Sequence, residues 1–288
     1  MELPKNKWTE SLKKIKQEVG RLFYKGNIDL LLNDSPKLAI VGSRRMTDYG
    51  EKVIEKWMPA LVQKGVTIVS GFMYGVDQAA HKACLENEGK TIAVLGWGID
   101  WQVIPQDEEL YRKIIENDSP PAGEAGLIVS EYEKQTVPEL WLFPQRNRIV
   151  AGISDAVLVV EGAEKSGSLI TARLANQFGK PLLAVPGPVF SRVSVGTNNL
   201  IKSGKAKAAC GVEDILQAMG LAAGQIKMSF GDDLPVNPVL EALERGEKSA
   251  DELSRILKMP VAKVMGEVFR LQMDDLVEEK AGKYFRAI

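Results

Sequence analysis

Lys37-Leu38-Ala39-Ile40-Val41-Gly42-Ser43-Arg44-Arg45 is the stretch on which the fold turns. Its apolar residues run without polar alternation and stop at a glycine, the pattern of a parallel strand buried on both faces. Working outward, the unit recurs. Thr67-Ile68-Val69-Ser70 ends at Gly71, and Thr91-Ile92-Ala93-Val94-Leu95 ends at Gly96. Further apolar runs occupy 126–130, 156–160 and 181–185. Between them, 47–64, 76–87, 107–117 and 169–178 carry helical spacing. Alternating strand and helix predict an α/β fold, an extended Rossmann-like, doubly wound, mostly parallel sheet over 35–219. In such sheets ligands bind in the loops at the carboxyl ends of the strands.

On either side lie smaller parts. Residues 1–34 are expected to form a short helical extension, with Leu12, Ile15, Val19 and Leu22 at helical spacing. Residues 220–237, rich in Gly, Ala, Asp and Pro, read as a linker. Three helical segments then begin at Pro238, Ala250 and Val261, and strand-like pieces flank Gly282. Three helices and a hairpin are the winged-helix order, so 238–288 is expected to be a small winged-helix domain.

Bulk properties exclude several classes. No apolar run approaches the ~18 residues of a membrane helix. The charged, lysine-rich start has no apolar core of a signal peptide, so a cytoplasmic location is expected. Two cysteines, Cys84 and Cys210, cannot build a disulfide framework or a four-ligand metal site. Net charge is -1 across 288 residues, so a nucleic-acid site would have to be a local cluster. Residues 232–288 carry 9 basic and 12 acidic residues, a poor composition for gripping phosphate.

Five loops carry the candidate chemistry. Gly42-Ser43-Arg44-Arg45 offers a sharp turn, anion-facing N–H groups at the start of a helix, and guanidinium donors. Read structurally, it is a tight turn with two solvated arginines. Ser70-Gly71 opens a turn bracketed by Gly75. Asp77 and His81 follow at i,i+4, either an acid/base pair or half a metal site, or else a cap and a histidine bonded back to a loop. Phe143-Pro144-Gln145-Arg146-Asn147-Arg148 sets an aromatic ring among basic residues, as a single strand requires, or forms a helix start with one arginine in a buried salt bridge. Ser166-Gly167-Ser168 stands where a helix N-terminus can hold an anion. Thr197-Asn198 could bond phosphate or cap the helix of Leu200. Each loop alone is ambiguous. Together they open on one sheet edge and predict a polyanion groove of N–H groups and a few arginines. No Walker lysine, Gly-x-Gly-x-x-Gly spacing, Ser-His-Asp order or metal-ligand spacing accompanies them, so neither cofactor nor catalytic residue nor metal is expected.

The ordered set Ala39-Ile40-Val41-Gly42-Ser43-Arg44, Ser70-Gly71 with Gly75-Val76-Asp77, Phe143-Pro144-Gln145-Arg146-Asn147-Arg148, Ser166-Gly167-Ser168-Leu169-Ile170-Thr171-Ala172 and Gly196-Thr197-Asn198 resembles the DNA-processing protein A family (DprA, also called Smf) over about 37–216. The resemblance implies single-stranded DNA binding without catalysis, a homodimer formed through the Rossmann-like domain, and loading of a RecA-type recombinase in natural transformation and recombination. It implies Arg44, supported by Gly42 and Ser43, as the first DNA contact, and Gln145, Arg146 and Asn147 as further ones. Family members often carry Lys or Arg where Gln145 stands, so this chain lacks a charge there. Two other readings belong to different classes. A phosphoribohydrolase-like nucleotide enzyme would release a base from a nucleotide, but the Pro-Gly-Gly-x-Gly-Thr-x-x-Glu loop of such enzymes is replaced here by 162–171, without that Glu. A nucleotide-signal sensor would couple the sheet to duplex binding by the winged helix.

Overall fold

A computed structural model describes residues 1–15, 19–116, 126–221, 238–243, 246–273, 276–280 and 282–286. Asn117 and almost all of the expected linker lie outside these. The chain divides into two compact units, Met1–Ile226 and Lys227–Ile288.

The first unit is built on eight strands: β1 (Phe23–Gly26), β2 (Lys37–Val41), β3 (Thr67–Ser70), β4 (Thr91–Leu95), β5 (Gly126–Ser130), β6 (Ala156–Val159), β7 (Leu182–Ala184) and β8 (Lys207–Ala208). They stand in the order β1-β5-β4-β3-β2-β6-β7-β8. All neighbours are parallel except β1, which runs antiparallel to β5 with Phe23 opposite Ser130. The apolar runs form strands because both faces are covered. In β2, Leu38 and Ile40 enter one core and Ala39 and Val41 the other. The helices of this unit are α1 (Glu10–Lys13), α2 (Asp29–Leu32), α3 (Asp48–Gln63), α4 (Val76–Glu86), α5 (Pro105–Glu116), α6 (Leu142–Ile153), α7 (Ser168–Gln177), α8 (Val195–Lys202) and α9 (Val212–Ala218). From β2 the chain steps to β3, β4 and β5, then returns so that β6 lies on the other side of β2. That reversal is a topological switch point, where the carboxyl ends of β2 and β6 leave a crevice.

Two expectations need correction. Among the described residues the extension is only partly helical: Lys5–Lys7, Glu10–Lys13 and Asp29–Leu32 are helical turns, and Phe23–Gly26 is a strand of the sheet. Leu12, Ile15, Val19 and Leu22 are nonetheless buried in the main core, and residues 16–18 lie outside the description. Each such side chain contributes about 1.5–3 kcal/mol through burial, and Gly152 of α6 leaves the space that Ile15 fills, its missing Cβ lying 2.5 Å from Ile15 Cγ1. The aromatic-basic segment follows the second of its two readings, a helix start, and is the first two turns of α6. Pro144 is tolerated there because the first-turn N–H groups have no intrahelical acceptor. The helix expected at Leu200 begins earlier, at Val195, so Thr197 and Asn198 are helical.

The second unit contains α10 (Pro238–Leu243), α11 (Ala250–Leu257) and α12 (Val261–Met273), then the antiparallel pair β9 (Val277–Lys280) and β10 (Lys283–Arg286). Ser249 and Glu252 form a capping box that starts α11. Val239, Leu253, Val264, Val268 and Tyr284 belong to its own core.

Candidate functional site

The switch-point crevice is a groove of about 680 Å³. Its walls come from the loops after β2, β3 and β6, the first turns of α6 and α7, and Arg192 beyond β7. Arg44, Arg45, Arg146, Lys165 and Arg192 line it, against the single carboxylate Asp77. A chain of net charge -1 therefore concentrates five cations in one cleft.

Glycines let the loops close this tightly. A Cβ on Gly42 would stand 2.6 Å from Val76 Cγ2 and 2.9 Å from the Glu161 carbonyl oxygen. Gly75, at φ +74, lies under the 42–45 loop, where a Cβ would strike the Ser43 carbonyl oxygen. The Val76 N–H donates to that same carbonyl at 3.2 Å. Ser43 is spent on the loop itself: its Oγ donates to the Arg45 carbonyl and accepts from the Arg45 N–H, both at 3.0 Å. The loop does not lead straight into a helix, because α3 starts only at Asp48. There Thr47 donates from its N–H (2.9 Å) and its hydroxyl (2.5 Å) to the buried Glu161. The exposed Arg44 guanidinium lies 5.5 Å from the centroid of Phe143, within cation–π range.

Helical periodicity sorts the aromatic-basic segment. Phe143, Arg146, Asn147 and Val150 fall at i, i+3, i+4 and i+7 on one stripe of α6, and all line the groove. Gln145 and Arg148 fall elsewhere. The Gln145 Oε1 accepts from the Tyr132 hydroxyl at 2.8 Å, and Arg148 grips Glu131 with Nη2 at 2.7 and 2.8 Å from its two oxygens. Arg148 is thus the buried salt-bridge arginine, and Gln145 does not reach the groove.

Arg146 is buried as well, only 2% exposed. Its Nη1 donates to the Val94 carbonyl, and its guanidinium occupies the space over Gly71, where a Cβ would lie 2.5 Å from Cζ. Burial draws its pKa down to about 10, against the attraction of Asp77. Burial raises the Asp77 carboxyl above its usual range, while Arg146 and the Met73 N–H oppose this. His81 is fully buried, and burial with the charge of Arg146 holds its pKa near 3. Thr91 Oγ1 donates to the Ile68 carbonyl at 3.0 Å and stands 2.6 Å from His81 Nδ1, which therefore donates to it. His81 is a neutral core residue bonded to the start of β4. Burial pushes the Cys84 thiol up to about 12.

At α7, Ser166 Oγ lies 2.8 Å from Ser168 Oγ, and both line the groove with Gly167. Of the expected residues, Gly42, Ser43, Arg44, Arg45, Gly71, Phe143, Arg146, Asn147, Ser166, Gly167 and Ser168 converge here. Ser70, Gln145, Thr197 and Asn198 do not. Ser70 is buried and donates to the Ile40 carbonyl at 2.6 Å. Thr197 donates back to the Ser194 carbonyl at 3.1 Å, and Asn198 clamps both backbone groups of Gly187 at 3.2 and 3.0 Å. These side chains brace the loops. Lys165 and Arg192 join the groove without having been singled out as contacts. The one signal for them was their place after strands of the same sheet edge.

The profile of the family described as DNA recombination-mediator protein A matches residues 2–220. Protein Smf of Synechocystis is 37% identical over 260 residues, covering 86% of this chain. The chain spans 63% of that protein's length, a little under two thirds. The crystal structure of DNA processing protein A from Streptococcus pneumoniae superposes with a TM-score of 0.68 at 38% identity, over 75% of this chain and 73% of that one. DNA processing protein A from Helicobacter pylori, described for its single-stranded DNA binding mode, gives 0.66 at 30% identity, over 77% of this chain and 95% of that one. Among the described residues no helix is long and apolar enough to cross a membrane.

Proposed function

The chain belongs to the DNA recombination-mediator protein A family, and from that membership we propose that it binds single-stranded DNA in the switch-point groove and passes the strand to a RecA-type recombinase. The observation that carries this reading is the groove's charge, five cationic side chains against one buried carboxylate. Backbone phosphates dominate nucleic-acid affinity, and a local cluster suffices when the site is this compact. The exposed Arg44, Arg45, Lys165 and Arg192 meet phosphates. Phe143 offers a ring on which a base can stack once Arg44 moves toward phosphate. Ser166, Gly167 and Ser168 present hydroxyl and N–H groups at the α7 N-terminus. Arg146 and Asp77 shape the floor from beneath.

The protein works by binding and transfer, without bond chemistry. His81 is neutral and committed to Thr91, so it does not serve as a general base for the groove. Handover to the recombinase, a homodimer formed through the Rossmann-like domain, a cytoplasmic setting, and a role in DNA uptake and recombination rest on family membership. The second unit, with its acidic excess, fits a protein-contact role better than duplex reading. Competition tests the proposal: unlabelled single strands should displace a labelled oligothymidine from the protein, and a duplex of equal length should not. Equal displacement by duplex would refute the single-strand reading.

A further inference from the structure

Beyond Phe143 the groove adjoins a second, smaller cleft of about 150 Å³. The two share Met73 and Phe143. The cleft is walled by Phe72, Tyr74, Trp97 and Trp101, and its single charged residue is Asp107. Three facts indicate its occupant. First, the volume falls below the ~300–1,000 Å³ of sites for drug-sized ligands, so it admits one planar ring. Second, Asp107 repels phosphate, so a strand would keep its backbone in the basic groove and send only a base across. Third, Trp97 is just 8% exposed, and its indole N–H has no hydrogen-bond partner among the described residues. Buried donors are normally paired, so this N–H calls for an acceptor that a water or a ligand group in the cleft would supply. The aromatic walls are themselves held in place. Trp97 packs edge-on against Phe143 at 6.1 Å and Phe72 at 6.5 Å, and Tyr74 is left 48% exposed at the rim.

We propose that this aromatic cleft is a base-binding subsite: a strand lying in the basic groove, as read above, turns one base past Phe143 to stack on Trp101 and Tyr74 and accept a hydrogen bond from Trp97 Nε1. The groove then supplies charge, and the cleft makes binding depend on the bases as well as the backbone.

The test uses the full chain with two labelled probes, oligothymidine and a backbone of the same length made of abasic deoxyribose. Trp97→Phe keeps an aromatic ring, though a smaller one, and removes the N–H. It is expected to weaken oligothymidine binding roughly 2–10-fold, the range of one hydrogen bond, and to leave the abasic probe unchanged. Trp101→Ala should weaken oligothymidine roughly 5–150-fold through lost stacking, again sparing the abasic probe. Tyr74→Ala, at an exposed position, repeats the stacking test with little risk to folding. If wild type binds oligothymidine and all three variants bind it equally well, the subsite is refuted and the groove reading stands. If wild type binds neither probe, the groove reading fails and the subsite with it.

Discussion

Gly75→Ala puts the groove's construction to a direct test. Gly75 has φ +74 and ψ -127, a region almost closed to residues with a Cβ. The added methyl would collide with the Ser43 carbonyl oxygen and stand 2.8 Å from that of Arg44. Both are backbone atoms, so no side chain can swing aside to relieve the clash. Backbone strain costs about 1–3 kcal/mol. Displacing the loop also forfeits the Val76 N–H bond to Ser43, another 0.5–1.5 kcal/mol or so. A loss of about 2–4 kcal/mol follows. For a unit of this size that lowers Tm by about 4–16 °C. The same shift moves Arg44 off Phe143, so binding of oligothymidine falls with stability. Gly204→Ala is the control, because Gly204 has φ +67 and no atom within 4 Å of its missing Cβ. It should show strain alone and leave binding intact. Calorimetry and fluorescence anisotropy on both variants decide the matter. A Gly75→Ala protein that melts with wild type and binds the strand equally well would refute this account of the loop.

Arg148→Ala takes the cation from the half-buried Glu131 and leaves it the Gly20 N–H at 3.1 Å, which costs about 3–5 kcal/mol. Because Arg148 lies off the groove-lining stripe of α6, thermal melts should drop by about 6–20 °C while strand binding at low temperature persists. His81 titrates near 3 in the fold against 6.5 unfolded, so the unfolded chain takes up its proton first. Its contribution to stability is complete above pH 6.5 and declines as pH falls, by about 2 kcal/mol between 6.5 and 5. Asp77, shifted the other way, offsets part of that loss below its raised pKa. Denaturant titrations across this range should show the decline, and His81→Gln should flatten it.

Much of the fold was legible in the sequence because a parallel strand covered on both faces needs an uninterrupted apolar run, and six such runs stand here. The first strand was not. Phe23-Tyr24-Lys25-Gly26 mixes polar and apolar residues, as suits an antiparallel edge strand, and the helical spacing before it comes from burial by several short pieces. The groove was legible through the rule that loops at one sheet edge converge. Gln145, Thr197 and Asn198 lie off the groove for two physical reasons. Helical periodicity turns Gln145 away from the groove, and the earlier start of α8 commits Thr197 and Asn198 to their own backbone. Arg192 and the Trp97 cleft depend on contacts between distant loops that no local pattern encodes.

The central claim, that a local cation cluster holds single-stranded DNA, is tested most directly by the salt dependence of oligothymidine binding in wild type and Arg44→Ala. The four exposed cations of the groove limit the log–log slope to about -2.8, a loss of up to roughly 50-fold between about 50 and 200 mM salt. Arg44→Ala should bind more weakly with a slope shallower by about 0.7. Salt-insensitive binding, or an unchanged slope in the variant, would contradict the account.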